Sequence, residues 1–212
     1  MTKKWLKTAG LIAAITASSV SCGSVVRDGK SPVYLVIEEL LGSRGAPSPG
    51  TASGNLVSDV ITNVTSPPPC SPDTPCPTIF NDTGLVSLRL SPKNINPGGA
   101  LTPPSLNNEV TITHYRVSYR RSDGRNTPGI DVPHGFGGGL TGTVPSSGTL
   151  EIGFDLVRHI AKMESPLIEL QVNQRIIQAT AEVTFFGRDQ VGNELNVTGY
   201  ILVSFGNFGD ES

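Results

Sequence analysis

Apolar residues in the second half of the chain recur at every other position, the period of a strand with one buried face. Leu150, Ile152, Phe154 and Leu156 alternate with Glu151, Gly153 and Asp155. Ile177, Ala179, Ala181, Val183 and Phe185 form a second such run, and Leu195, Val197, Gly199, Ile201, Val203 and Phe205 a third, with a turn at Arg188 to Asn193 between them. Glu109 to Arg121 carries the strongest strand pattern, but its apolar phase changes midway: Val110 and Ile112 share one phase, Tyr115, Val117 and Tyr119 the other. One extra residue returns both sets to the same face, so the switch predicts a β-bulge near Thr113 and His114. Ser122-Asp123-Gly124 then supplies a hairpin-type turn.

The first half is less regular. Leu85 to Leu90 reads as a strand that stops at Ser91-Pro92, and Val33 to Ile37 as another, with a short helix over Leu35 to Leu41 as the alternative. A weak strand is expected over Leu56 to Thr62. Gly, Pro and Ser concentrate in residues 42–54, 64–78 and 92–108, which read as flexible insertions, and Asn126 to Gly142 reads as a further glycine-rich loop. Val157 to Met163 fits either the end of a strand or a helical turn. Short strands of period two without a long helix predict an all-β fold, an antiparallel β-sandwich forming one domain over residues 31–212.

Composition narrows the class further. With 24 Gly and 17 Pro in 212 residues and 37% hydrophobic residues, the chain is rich in turns. Collagen is excluded because glycine does not recur at every third position, and a coiled coil because breakers are everywhere. Met1 to Ser21 has the three parts of an export signal: Lys3, Lys4 and Lys7, a short apolar stretch from Ala9 to Ala17, and a small-residue exit. Removing those lysines turns 16 basic against 18 acidic residues into 13 against 18, a net of -5. An acidic chain of this kind is not expected to bind nucleic acid. Trp5 is lost with the signal, so the folded part has no tryptophan.

Ser19-Val20-Ser21-Cys22 resembles the lipobox of bacterial lipoproteins. That resemblance implies lipidation of Cys22, a tether over residues 22–30, and attachment to the membrane through the lipid. Gly23 and Ser24 follow in place of an aspartate, which by the same resemblance points to the outer membrane. Ordinary signal cleavage at the same bond is the alternative. Three cysteines leave one odd thiol, and lipidating Cys22 leaves Cys70 and Cys76 to pair. Five residues lie between these two, a spacing suited to a small disulfide loop in an oxidising compartment; half of a zinc site is the alternative.

Tyr115-Arg-Val-Ser-Tyr119-Arg-Arg121 followed by Ser-Asp-Gly resembles the third strand and turn of fibronectin type III domains. Ala181 to Phe186, then Asp189 to Asn193 and a last alternating strand, is similar to the closing hairpin of bacterial immunoglobulin-like modules. The resemblance covers about Thr111 to Phe205. It implies a non-enzymatic role in adhesion, binding or envelope structure.

Candidate chemistry is sparse. His114, His134 and His159 have no second ligand at metal spacing, and no metal or other cofactor is expected. His114 sits at the predicted bulge. Asp131 and His134 offer an acid and a base, so an exported hydrolase or carbohydrate-active enzyme with its site in residues 126–142 is the alternative function. No G-x-S-x-G elbow accompanies them. His134-Gly-Phe-Gly-Gly-Gly139 has the glycines of a phosphate loop without its Lys-Ser/Thr ending. Asp189, Asn193 and Glu194 carry oxygens for Ca²⁺ or, more simply, form a turn. Arg116, Arg120, Arg121 and Arg125 make the one basic cluster, a candidate surface for a protein or acidic polysaccharide ligand. An exposed edge strand would instead mark a subunit of a larger envelope complex.

Overall fold

A computed structural model describes residues 30–47, 50–93 and 104–210. The signal, Cys22 and the tether lie outside the described residues, as does most of the insertion near 92–108. About half of the described chain is strand, and almost none of it is helix. In order it forms Val33–Ser43 (β1), Asn55–Asp59 (β2), Thr62–Val64 (β3), Cys76–Thr78 (β4), Asp82–Pro92 (β5), Val110–Arg120 (β6), Phe136–Val144 (β7), Thr149–Val157 (β8), a single helical turn His159–Lys162 (α1), Ile177–Asp189 (β9) and Glu194–Gly206 (β10). The all-β expectation holds.

β1, β5 and β8 make a three-stranded sheet, β2, β10, β9, β6 and β7 a five-stranded one, and β3 with β4 a small third pair. Among the described strands every pairing is antiparallel except one: β2 runs parallel to β10, with Leu56 beside Val203. One apolar core joins both large sheets, and its centre is aromatic. The Tyr115 and Phe154 rings meet at 5.1 Å and Phe154 and Phe185 at 5.2 Å, each edge-on. Edge-to-face contacts suit the ring quadrupoles and fill the space without a tryptophan. Tyr119 donates its buried hydroxyl to the Leu156 carbonyl at 2.7 Å, tying β6 of one sheet to β8 of the other.

The bulge predicted in β6 is present. Register against both β7 and β9 slips between Ile112 and His114, so Val110, Ile112, Tyr115, Val117 and Tyr119 are all buried while Thr113 and His114 face outward. A second bulge settles the ambiguous first segment. β1 slips register between Ile37 and Glu39, and Ile37 and Leu40 on its two sides both lie against Gly199. The segment pairs with β5 from Val33 to Ser43, so it is a strand and not a helix, and its bulge leaves Glu38 and Glu39 both exposed. The weak strand expected over Leu56 to Thr62 divides into β2 and β3. Val157 ends β8, and α1 begins two residues later.

The glycine-rich segment departs from its reading as a loop, because Phe136–Val144 is a full strand of the five-stranded sheet. Its inward positions are Phe136, Gly138, Leu140, Gly142 and Val144, a period-two pattern in which two members have no side chain. Gly138 is required by close approach: a Cβ there would lie 2.4 Å from the Tyr115 ring. The same holds for Gly84 in β5, where a Cβ would come within 2.3 Å of the Phe154 ring.

Cys70 and Cys76 are joined, with Cα atoms 5.4 Å apart. The bridge closes the proline-rich turn between β3 and β4, and Pro77 is accommodated because this pair has no further strand to donate to.

The sheets also have distinct ends. The described chain enters beside Val33, which pairs with Pro92, and the short turns 145–148 and 190–193 lie at that end. Connections 44–54, 60–81, 121–135 and 158–176 emerge at the opposite end, where Ser43, Asp59, Arg120, Val157 and Gly206 terminate their strands.

Candidate ligand-binding face

Strand alternation commits the inward residues of β6, β9 and β10 to the core and sends their neighbours to the opposite face. Register then sets these outward residues in rows. His114 lies beside Phe186 and Phe186 beside Asn196; Arg116 beside Thr184 and Thr184 beside Thr198; Ser118 beside Glu182 and Glu182 beside Tyr200. Arg120 heads the last row, with Thr180 and Leu202. The β6–β7 connection folds back over this face at Pro128 and Gly135, and the groove it walls has a volume of about 640 Å³. Arg116, Arg120, Glu182, Thr184 and Phe186 line it. Beyond Phe186 a second depression of about 450 Å³ runs past His114, Arg188, Glu194 and Asn196. Phe186 borders both, so they form one track across the sheet.

The bulge shapes this track. By turning His114 outward opposite Phe186, it stacks the imidazole on the phenyl ring with centroids 4.5 Å apart and planes 5° from parallel. The Thr113 hydroxyl is 2.9 Å from His114 Nδ1 and also donates to the Phe186 carbonyl at 3.3 Å, which fixes the pair. Charges along the track are partly matched. Arg120 faces Glu182 at 3.7 Å and Arg188 bonds Glu194 at 2.7 Å. Among the described residues no carboxylate pairs with Arg116.

The four arginines of the sequence cluster therefore divide. Arg116 and Arg120 share the groove. Arg121 and Arg125 turn onto Asp123, Arg121 Nε donating at 3.1 Å and Arg125 Nη2 at 3.0 Å. The Arg121 hydrogen bond, reinforced by Arg125, holds the Asp123 carboxyl far below the usual carboxylate range. These two arginines border a separate notch of about 180 Å³ with Arg175, Ile130 and Pro166.

Asp131 and His134 are not an acid–base pair here. The Asp131 carboxylate accepts the Thr127 N–H at 3.1 Å, and no hydrogen bond joins it to His134 among the described residues. His134 instead lies against Gly129, whose positive φ of 78° lets the chain turn beneath the ring. Asp189 has its oxygens occupied: Oδ1 accepts the N–H groups of Val191 and Asn193 at 3.1 and 2.8 Å, and Oδ2 accepts Asn193 Nδ2 at 2.8 Å. Burial alone would raise this carboxyl, but the Asn193 hydrogen bonds outweigh it and hold it below its ordinary value. With Glu194 engaged by Arg188, this is an Asx-stabilised turn.

One arrangement has no signature in the sequence. Lys162 of α1 and Asp82 of β5 are both fully buried, and Lys162 Nζ is 2.9 Å from each carboxylate oxygen. Gly45 N–H donates to Oδ1 at 2.8 Å and the Ser58 hydroxyl to Oδ2 at 2.6 Å. Burial raises the Asp82 carboxyl above its usual range even with Lys162, Gly45 and Ser58 pulling the other way. Nothing about Lys162 in sequence marks it as buried; the pair exists because α1 lays it over the end of β5.

Compared with protein-family models, curated proteins and solved structures, the chain gives no match.

Proposed function

We propose that this chain is an exported bacterial lipoprotein, held in the outer membrane through Cys22, whose single immunoglobulin- or fibronectin III-like sandwich binds a ligand of the envelope or its surroundings. The carrying observation is the outer face of the five-stranded sheet, where Arg116 and Phe186 line a groove that no described residue fills and His114 stacks on Phe186 in the depression beside it. An open sheet face of this size is normally either solvated by charged residues or engaged by a partner; here aromatic and hydroxyl side chains occupy most of it. The sandwich reading is supported by two sheets sharing one core and by the Tyr119 tie between them. A tether at the end where the chain enters would leave connections 44–54, 60–81, 121–135 and 158–176 and the Arg120 end of the groove pointing away from the attachment.

Two measurements test this. Palmitate labelling of cells should mark the wild type and not Cys22→Ala; an unlabelled wild type would sink the anchor. A photo-crosslinking residue in place of Thr198, on the groove side, should give an adduct in cells, while one in place of Ser87 on the three-stranded sheet should not. Equal or absent adducts would remove the face from consideration.

A further inference from the structure

We infer that the groove takes an acidic glycan, a sugar chain bearing carboxylate groups, with Arg116 as the carboxylate anchor. This rests on the reading of the face as a binding surface and names what it binds. Arg116 is exposed and has no ion-pair partner among the described residues, and a planar guanidinium meets a carboxylate with two parallel hydrogen bonds. Arg120 stands four residues along the same strand, about 13 Å away at the rise of a strand, where it is paired with Glu182, so an extended ligand running with β6 passes from one free guanidinium to a neutralised pair. Glu182 beside Arg120 supplies an acceptor, and Ser118, Thr184 and Thr198 supply hydroxyls. That mixture matches the paired donors and acceptors of sugar hydroxyls. Phe186 with His114 stacked on it, and Tyr200 at 65% exposure, present flat apolar surface of the kind a pyranose ring covers.

A peptide fits less well. Extended peptides gain affinity by pairing their backbone with a free sheet edge, but β6, β9 and β10 each have a strand on both sides. A peptide lying on this face would leave its own amides facing side chains. Nor is the face basic enough for a purely electrostatic partner, because Arg120 and Arg188 are already matched by Glu182 and Glu194.

The probe is an oligogalacturonate of defined length, titrated calorimetrically against the protein lacking residues 1–29 but otherwise intact, beside the same oligomer with its carboxylates methyl-esterified. Binding of the acid form should weaken with added salt. Esterification, or Arg116→Gln, should weaken it by about tenfold or more, as expected when one charged hydrogen-bonding partner is lost. Phe186→Ala should weaken both forms. Arg116 and Phe186 sit on the surface, so unchanged melting temperatures would exclude unfolding as the cause. Equal binding of acid and ester, no effect of Arg116→Gln, or no binding at all would overturn the inference. Competition by polyglutamate at equal potency would also overturn it, in favour of an acidic polypeptide. The Thr198 crosslink separates the two levels: an adduct without uronate binding means the ligand class is wrong and the face is right.

Discussion

Lys162 and Asp82 illustrate how a single buried charge changes the consequences of substitution. Each neutralises the other, and Gly45 and Ser58 satisfy the remaining oxygen capacity. Removing one partner strands a charge at the end of β5. Lys162→Met should cost about 3–5 kcal/mol in urea unfolding, whereas Lys162→Met combined with Asp82→Leu should recover most of that loss, because an apolar pair of similar volume replaces a desolvated one. A single-variant cost below about 1 kcal/mol would mean that water reaches the pair. Asp189 gives a different signature. Its folded carboxyl sits below the unfolded value of about 3.9, so its contribution is complete above that pH and is lost as pH falls through the lower folded value. The stability difference between wild type and Asp189→Asn should therefore shrink as the solution is acidified below about pH 4. Asp59, raised chiefly by burial, acts with the opposite sign, its contribution complete below the unfolded value and lost as pH rises through the higher folded value. A difference for Asp189→Asn that grew in acid would contradict the hydrogen-bonded turn.

At the scale of elements, bulges and glycines decide which residues reach the core. Deleting Thr113 would leave Val110, Ile112, Tyr115, Val117 and Tyr119 in unbroken alternation, so β6 can pair without its bulge and still send all five to the core. That variant should keep a cooperative thermal transition; losing it would mean that the bulge itself is required by the sheet. Gly138→Ala acts through crowding instead. Its Cβ must displace the Tyr115 ring, so a loss of about 1–3 kcal/mol is expected, read from denaturant melts; a neutral result would show that the ring has room to move. The same elements separate what was legible from what was not. The strands of β6, β8, β9 and β10, and the bulge in β6, could be read because alternation is a local property of consecutive side chains. β7 was hidden by that same rule: Gly138 and Gly142 fill inward positions without contributing hydrophobicity, and they are glycine because Tyr115 and Leu150 occupy the space. The outward placement of Phe186 was implicit in the phase of β9, yet its stacking on His114 required knowing that β6 lies beside β9.

For the molecule as a whole, the disulfide pins a surface turn and leaves the core to the sheets. Replacing Cys70 and Cys76 with serine should lower stability by about 2 kcal/mol, the entropy of so short a loop, and leave the cooperative fold intact by circular dichroism. Collapse of the fold would assign the bridge a larger part than its position between β3 and β4 suggests. The sequence by itself determined the all-β class, the phase of β6, β8, β9 and β10, and the β6 bulge, and it favoured the Cys70–Cys76 pairing over a metal site; all of these depend on neighbours within a few residues or on a short spacing. Tertiary structure alone decided that β2 joins β10 in parallel, that the four arginines divide between a groove and Asp123, and that Lys162 is buried on Asp82. Those outcomes depend on which distant segments meet, and a side chain's phase along its strand carries no record of the strand that will lie beside it.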